Sequence, residues 1–160
     1  MMIIRRAVLA DLPGLAKLLD QVLMVHYEGR PDLFKPHTRK YDDEQLRAIV
    51  ADDERPVFVG VAEDAAPGEI LGYAFCVHEH HPDSPNLTPV HTLYIDDICV
   101  DEAARGQHVG SRIYQHVLDW AREQGFYNVT LNVWECNPGA RAFYEAMGMR
   151  VMKTEMEAIL

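Results

Sequence analysis

The sequence predicts one domain over residues 1–160 with an α/β fold of the α+β type, in which a mixed sheet carries helices on both faces. Three features predict this class. A helical section comes early in the chain, a hairpin of alternating strands follows it, and one strand-helix-strand crossover comes later. Hairpin strands run antiparallel and strands joined through a helix run parallel, so the sheet should contain both kinds of pair. A chain of 160 residues is also long enough to bury a sizeable core.

The N-terminal section is typical of a strand followed by helices. Residues 2–8 are mostly apolar and are expected to form a strand. Asp11 is expected to be the N-cap of the first helix, with Pro13 near its first positions. Apolar residues then recur at helical spacing, at Leu12, Leu15, Leu19, Val22 and Leu23. Residues 28–43 lose this periodicity and contain two prolines, which predicts either a short second helix with its approaches or a functional lid, before a helix over about 43–51.

The middle of the chain is predicted to form an antiparallel hairpin and a third strand. Alternating apolar residues begin after Pro56, residues 65–68 form a turn, and a second strand covers 70–78. A polar, proline-containing loop then leads to a strand at 92–100. Because the turn is short, the first two strands should be neighbours in the sheet.

The last part of the chain predicts a helix, a strand, a second helix and a final strand. One face of the first of these helices is apolar, with Val109, Ile113, Val117 and Trp120. Gly125 is expected to end that helix in a left-handed conformation, and a strand around 129–133 should run parallel to the preceding one. Asn137 is predicted to cap the last helix, which Gly148 closes, and residues 149–160 are predicted to form a strand.

Composition narrows the class of function. The formal net charge of -10 argues against nucleic acid as the main partner, because phosphate binding needs a basic face, and weakly favours a cationic substrate. No apolar run is long enough to span a bilayer, and the N-terminus lacks the apolar core of a signal peptide, so no membrane partner is expected. The three cysteines, Cys76, Cys99 and Cys136, are scattered and form no CxxC pair, as in a reduced, cytoplasmic protein.

The most informative stretch of the sequence runs from Tyr94 to Gly125. A strand carrying Asp96 and Asp97 ends in the loop 105–110, which contains two glycines and opens directly into a helix. The first backbone N–H groups of a helix have no partner within it, so such a loop favours an anion. The spacing fits neither the Walker phosphate loop nor the GxGxxG of dinucleotide sites. From the glycines alone, an anion site and a plain strand–helix connection are equally good interpretations.

Two motifs resemble the GNAT superfamily of N-acetyltransferases. Val100–Arg112 is similar to its acyl-CoA loop, Arg/Gln-x-x-Gly-x-Gly/Ala, with Arg105 in the first position and Gly110 in the last, while His108 stands where the first glycine is usual. Residues 137–148 are similar to the family's Asn-x-x-Ala-x-x-Phe-Tyr-x-x-x-Gly helix at every fixed position. The resemblance implies a three-layer fold whose central sheet is twisted and mostly antiparallel, with one parallel strand pair that splays apart.

The resemblance also implies that acetyl-CoA is the co-substrate and that no metal takes part. Backbone N–H groups of the loop would hold the pyrophosphate, and the pantetheine arm would lie between the splayed strands. The implied cofactor-binding residues are Ile98, Cys99, Val100, Arg105, Gly106, Gln107, His108, Val109, Gly110, Ser111, Asn137 and Tyr144. Because His108 puts a side chain where the backbone must approach the ligand, a slightly altered loop is expected.

Tyr144 and Asp96 are the candidate catalytic residues. A tyrosine titrates near 10 and is protonated at neutral pH, so Tyr144 can protonate a departing thiolate; a packing role beside Phe143 is the alternative. Asp96 and Asp97 should face opposite sides of a regular strand. Tyr-Ile-Asp-Asp resembles the Tyr-Leu-Glu-Asp segment of polyamine-type acetyltransferases, which places Asp96 at the proposed base. Its shorter side chain favours action through a water, and a strand bulge could exchange the two aspartates.

The acceptor is less well defined by the sequence. Tyr27, Phe34, Tyr41, His78 and Asp97 are candidates to line its pocket, although the aromatic residues could equally cover the sheet. The histidine run 78–81 lacks the HExxH spacing and is better explained as a solvated strand end than as a metal site.

The sequence as a whole therefore predicts transfer of acetyl to a primary amine by direct attack in a ternary complex. The acceptor is a polyamine, amino sugar, amino acid or protein amine, with a preference for a small cationic amine. An inactive acyl-CoA-binding sensor of the same fold is the alternative function. The resemblance further raises a homodimer as the form of assembly.

Overall fold

Stretches of alternating and β-branched residues form one five-stranded sheet, and the amphipathic stretches between them form helices, in a computed structural model that describes residues 1–160. The strands are β1 (Met2–Arg6), β2 (Val57–Ala62), β3 (Gly72–His80), β4 (His91–Val100) and β5 (Asn128–Leu131). The helices are α1 (Leu12–Gly29), α2 (Asp43–Val50), α3 (Val109–Gln124) and α4 (Pro138–Ala146). Short 3-10 helices lie at Leu9–Asp11 and Glu102–Ala104.

The strands lie side by side in the order β1-β2-β3-β4-β5. The first three pairs are antiparallel, and β4 and β5 are parallel because α3 crosses between them. Their pairing joins Thr92–Ile95 to Asn128–Leu131 and goes no further, so from Asp96 onward β4 has no partner on that side. The predicted mixed sheet with a splayed parallel pair is confirmed.

Side-chain alternation divides the apolar residues into two cores, one on each face of the sheet. In β2, Val57, Val59 and Val61 point into the core beneath α1 and α2, whereas Phe58 points into the core beneath α3. Tyr144 of α4 joins the α3 side. The result is three layers with helices on both faces, as predicted. None of the helices combines the length and apolarity needed to cross a bilayer.

Asp11 is the N-cap residue of α1 and Pro13 lies in its first turn, as predicted, but the Asp11 side chain does not cap the helix. Its buried carboxylate instead accepts the Val8 N–H at 2.8 Å and the Arg5 guanidinium at 2.7 and 3.1 Å. The physical reason is the intervening 3-10 turn, which places the carboxylate over that turn and beside β1.

The loop between α1 and α2 contains no helix, so the first of the two predicted alternatives, a short second helix, is wrong. Residues 30–42 form a series of turns. Helix α2 then begins with a capping box, in which the Asp42 carboxylate accepts the Gln45 N–H at 2.8 Å and the Gln45 side chain accepts the Asp42 N–H at 2.9 Å. This cap fixes the chain immediately after Lys40 and Tyr41.

The C-terminal segment 149–160 is not a strand, contrary to the prediction. Beyond Met149, whose N–H binds the Tyr144 carbonyl at 3.0 Å, its backbone makes no hydrogen bond. The Glu157 carboxylate instead pairs with Arg30, which follows α1, at 2.6 Å, so a side-chain contact and not a strand pair ties this segment to the rest of the chain. Its apolar side chains are exposed, namely Val151, Met152, Met156, Ile159 and Leu160.

Candidate active site

The loop between β4 and α3 presents a row of backbone donors. None of the N–H groups from Gly106 to Ser111 has an acceptor in the chain, and the first main-chain bond of α3 is Arg112 N–H to the His108 carbonyl at 3.1 Å. Gly106 and His108 have φ of 77° and 60°, so both lie in the left-handed region. These two turns direct successive N–H groups to one side, where the helix dipole also favours an anion.

The base of this loop is fixed by an aspartate that follows β4. The Asp101 carboxylate accepts the Ala103 N–H at 3.1 Å and the Lys17 ammonium of α1 at 2.7 Å. The hydrogen bond from Lys17 lowers the pKa of Asp101. The loop 105–110 therefore starts from a position that is fixed to α1, on the other face of the sheet from α3.

A cleft of about 330 Å³ joins the two sequence motifs. It is lined by residues of β4, the loop, α3 and α4, namely Val100, Ala104, Arg105, Gly106, His108, Val109, Gly110, Ser111 and Phe143. A Cβ atom at Gly110 would lie 3.3 Å from Val100 and 3.7 Å from Phe143, so a side chain at this position would require Val100 to shift slightly. The Gln107 side chain turns back to the Ala103 carbonyl at 3.4 Å, and Ser111 Oγ donates to the His108 carbonyl at 3.0 Å.

The splayed edge of β4 continues from this cleft. Residues 98–100 pair with β3 on one side and have no strand on the other. Ile98 and Val100 face the α3 core, and Cys99 faces the α1 core. Burial raises the pKa of Cys99 to about 12, which leaves the thiol protonated and a poor nucleophile. Asn137, at the other side of the gap, caps α4 by accepting the Ala140 N–H at 3.3 Å.

A bulge in β4 determines where the two aspartates point. Phe75 of β3 pairs with Asp97 and Cys76 pairs with Ile95, so Asp96 is the extra residue. A bulge changes the alternation of side chains. Both carboxylates therefore lie on the side of α1 and α2, and the expectation that they face opposite sides is wrong.

Each carboxylate has its own partners. Asp96 accepts the Tyr41 hydroxyl and the Lys40 ammonium, the latter at 2.9 Å. Asp97 accepts the Tyr73 hydroxyl at 2.9 Å. Burial raises the pKa of Asp97 to about 6, against the opposing effects of the Tyr73 hydrogen bond and the Lys40 charge.

Tyr144 lies at the same end of the splayed gap. Its side chain is buried, 5.1 Å from the Phe143 ring and 5.8 Å from the Tyr114 ring. Burial is the largest cause that raises its pKa above the ordinary value of 10, and the negative charge of Asp97 is the next. The geometry thus brings together an acidic group that keeps its proton and a carboxylate that titrates near neutrality.

Aromatic side chains form a wall beyond the carboxylates. The Phe34 ring lies 5.1 Å from His26 and 5.3 Å from Trp134, while the Tyr41 ring lies 5.7 Å from Phe75. Burial lowers the pKa of His26, and the nearby Lys40 charge lowers it further. Tyr27 follows His26 on α1 and makes no hydrogen bond to either aspartate. Tyr41 contacts Asp96 directly, Phe34 packs with His26 and Trp134, and the roles of Phe34 and Tyr27 in an acceptor pocket stay predictions.

His78 is not brought to this site. Its ring lies 5.0 Å from Phe126, beyond the C-terminal end of α3, and its nitrogens contact His91 at 2.7 Å and Glu54 at 2.5 Å. It therefore lies at the opposite end of α3 from the loop, and its assignment to the acceptor pocket is corrected. No group of three or more side chains suited to hold a metal ion occurs in the structure.

Sequence reasoning missed Lys40 and Trp134. Lys40 lies in the aperiodic loop before α2, 56 residues from Asp96, and nothing local connects the two. Trp134 lies between β5 and the capped helix α4 and is 39% exposed. The only signal in the sequence was the position of this tryptophan, three residues before the motif that starts at Asn137.

Comparison with known proteins identifies the class. Residues 22–149 match the model of the acetyltransferase (GNAT) family, so the chain belongs to that family, as its motifs predicted. A solved structure of a tetramutant of the BH1408 protein from Bacillus halodurans has a TM-score of 0.91 and 30% identity, covering 99% of each chain.

Two named relatives are N-acetyltransferases. Glucosamine 6-phosphate N-acetyltransferase 1 of Oryza sativa subsp. japonica is 32% identical over 113 residues, which is 71% of this chain and 62% of the rice protein. Thialysine N-epsilon-acetyltransferase of Bos taurus is 29% identical over 155 residues, which is 96% of this chain and 86% of the bovine protein. The chain is similar to both and spans less than two thirds of the rice relative.

Proposed function

We propose that this protein transfers the acetyl group of acetyl-CoA to a primary amine by direct attack in a ternary complex. One observation carries the proposal. The unpaired N–H groups from Gly106 to Ser111 border a cleft shared with Val100 and Phe143, and β4 has no β5 partner from Asp96 onward. An anion-binding loop, an unpaired strand edge that carries Asp97, and Tyr144 beside the cleft residue Phe143 match the parts of a thioester with a phosphate-bearing tail.

The residues present fit acetyl-CoA. The loop offers backbone donors to a pyrophosphate, Arg105 adds a positive charge, and the free edge of residues 98–100 offers N–H and C=O groups to the pantetheine amides. Asn137 keeps its amide nitrogen available, because only its oxygen is used in capping α4. The His108 side chain is exposed, and the neighbouring N–H groups have no competing acceptor.

The acid–base roles follow from the environments of the three groups. Asp96, already in contact with an ammonium group, is suited to bind the cationic form of the acceptor. Asp97, with a pKa of about 6, is ionised at neutral pH and suited to accept a proton from the amine, directly or through a water. This proposal shifts the role of base from Asp96 to its neighbour. Tyr144 is suited to donate a proton to the leaving sulfur.

The protons balance across these groups. The ammonium loses one proton to Asp97, and the free amine attacks the thioester carbonyl carbon. The C–S bond breaks, the sulfur takes the Tyr144 proton, and the new amide nitrogen loses its second surplus proton, which restores the tyrosine. Asp97 finally releases its proton to solvent, so one proton leaves per turnover. No cysteine is needed as an acyl carrier, since Cys99 is held as a thiol.

The acceptor class we propose is a small cationic primary amine, with polyamines among the candidates. Paired carboxylates attract a cation, and the wall of Phe34, Tyr41 and Trp134 offers aromatic faces to an alkylammonium chain. The overall charge of -10 would add long-range attraction. The rice and bovine relatives are named for glucosamine 6-phosphate and thialysine, so amino sugars and amino acids belong in the same screen.

The test is a CoA-release assay on the full chain with acetyl-CoA and a panel of polyamines, amino sugars, amino acids and peptide amines. We expect turnover with at least one class. Tyr144→Phe should lower kcat about 10²-fold or more while the KM for acetyl-CoA stays within a few-fold. Tyr114→Phe, which removes a hydroxyl from the neighbouring buried ring, is the matched control and should keep its activity. Acetyl-CoA binding without turnover on any amine would contradict the proposal and favour a sensor of the same fold.

A further inference from the structure

The Lys40 side chain occupies the carboxylate end of the candidate active site. Its ammonium nitrogen lies 2.9 Å from Asp96 Oδ1 and 3.4 Å from the Asp96 backbone carbonyl. It is also 5.7 Å from the centre of the Tyr41 ring. Lys40 comes from the turn-rich loop before α2, and its side chain is 45% exposed while that of Asp96 is 17% exposed. A primary amine of this chain is therefore bound by the group proposed to bind the acceptor.

The surroundings of Lys40 resemble those that the reaction requires of an acceptor. The Asp96 carboxylate holds it as an ammonium, and Asp97 is close enough for the Lys40 charge to affect its pKa. Tyr41 and His26 are the other titratable groups that face it. The negative charge of Asp97 in turn raises the pKa of Tyr144. Asp97, the proposed proton acceptor, therefore lies on the same side of the sheet as Lys40, whereas Tyr144, the proposed donor, belongs to the core on the α3 side.

We infer that Lys40 is a built-in acceptor: its Nζ stands in for the substrate amine, and the enzyme acetylates it when no external amine displaces it. This inference depends on the proposed function. The Lys40 ammonium loses a proton to Asp97, and Nζ forms an amide bond with the acetyl carbon as the C–S bond breaks. The sulfur takes the Tyr144 proton, which the second surplus Nζ proton replaces. Acetyl-CoA supplies the acetyl group, and CoA leaves as the thiol.

An external acceptor and Lys40 compete for Asp96 in this arrangement. The amine must displace the lysine before it can react, so saturating amine should protect Lys40. Once acetylated, Lys40 carries no positive charge and cannot hold Asp96 as an ion pair. The loop 30–42 would then lose the Lys40 contact with β4 and keep that of the Tyr41 hydroxyl.

The experiment uses the full chain with isotopically labelled acetyl-CoA and peptide mapping by mass spectrometry. We expect Lys40 to become labelled with first-order kinetics. Because the reaction is intramolecular, its rate constant should not change when the protein is diluted tenfold. An accepted amine should slow it. Lys35 lies in the same loop, is exposed and contacts neither aspartate, so it reports non-enzymatic acetylation in the same sample.

Two variants separate enzymatic labelling from chemical reactivity. Tyr144→Phe and Asp97→Asn should each lower the rate of Lys40 labelling at least tenfold and leave Lys35 unchanged. Labelling of Lys40 no faster than that of Lys35, or equally fast in Tyr144→Phe, would overturn the inference. Turnover of an external amine without Lys40 labelling would overturn it while the proposed function stands. Failure of both reactions would overturn the two together.

Discussion

Two adjacent aspartates in the same bulge have different chemical environments. Asp96 binds an ammonium and a hydroxyl group, whereas the partly buried Asp97 receives one hydroxyl group, from Tyr73. Loss of hydration disfavours the charged form of a carboxyl group, so Asp97 is the one that titrates close to neutrality. Identical side chains thereby acquire separate roles, one in binding a cation and one in accepting its proton.

The pH dependence of the reaction should report Asp97. Below its pKa of about 6 the group is protonated and cannot act as a base, so kcat/KM for the amine should fall as pH is lowered through that value. Asp97→Asn should abolish this acid limb and lower kcat/KM about 10²-fold to 10⁴-fold at neutral pH. The measurement is a pH–rate profile with the best amine found.

Asp96→Asn is the matched control for that profile. It removes the neighbouring charge, keeps the bulge position polar, and should mainly raise the KM for the amine while the acid limb persists. An unchanged limb in Asp97→Asn would assign the titration to another group.

His108, like His37, has its backbone in the left-handed region that disfavours a residue with a side chain. A left-handed conformation costs an L-residue roughly 1–2 kcal/mol relative to glycine. The His108 side chain makes no capping hydrogen bond to α3 that would offset this cost. We expect His108→Gly to be more stable to urea than His108→Ala by about 1 kcal/mol, since both lose the imidazole and only glycine relieves the strain. Equal stabilities would mean that the loop relaxes out of this conformation in solution.

At the scale of the elements, short caps and turns position the acceptor side of the site. The capping box of α2 follows directly after Lys40 and Tyr41. Asp101 connects the loop 105–110 to α1 through its ion pair with Lys17. Neither contact touches the proposed reacting atoms. Each fixes the end of a loop that does, so both act on the site through the backbone.

Loss of the α2 cap should affect stability and amine binding together. Asp42→Ala leaves the Gln45 N–H without its acceptor and should lower the free energy of unfolding by about 1 kcal/mol. Because Tyr41 precedes the cap, the KM for the amine should rise more than the KM for acetyl-CoA. Glu44→Ala, in the same exposed turn without a capping bond, is the control, and urea unfolding with steady-state kinetics gives both readouts. A stability loss in Glu44→Ala equal to that in Asp42→Ala would contradict the capping explanation.

At the scale of the whole molecule, one strongly acidic chain must bind two substrates of opposite charge. The net charge of -10 attracts a cationic amine and repels a polyanionic co-substrate, while the loop at α3 overcomes that repulsion locally with backbone N–H groups. Long-range forces are screened by salt, whereas short hydrogen bonds within a cleft are screened much less.

Salt should therefore act in opposite directions on the two substrates. Raising the ionic strength from about 0.01 M to about 1 M shortens the screening length from about 30 Å to about 3 Å. We expect kcat/KM for a polyamine to fall several-fold and kcat/KM for acetyl-CoA to stay constant or rise. A neutral-chain monoamine is the control for general salt effects, and a parallel fall for both substrates would contradict the charge-based explanation.

Local sequence determined much of this protein. The helix periodicity, the hairpin, the αL glycine Gly125, the Asn137 cap and the crossover that makes β4 and β5 parallel were all readable, because each depends on residues within a few positions of one another. The two motifs identified the family and the cleft for the same reason, because the residues that form an anion-binding helix N-terminus are consecutive in the sequence.

Only the tertiary structure decided which way Asp96 and Asp97 point and that Lys40 and Trp134 lie at the site while His78 does not. It also decided that residues 149–160 form no strand. A bulge is a property of two paired strands, so β4 alone could not reveal which faces its aspartates take. Lys40 meets Asp96 across 56 residues, and the C-terminal segment has strand-like residues but no strand beside it. The positions of these residues depend on the free energy of contacts between segments that are distant in sequence. A local sequence pattern does not show which distant segment it will contact.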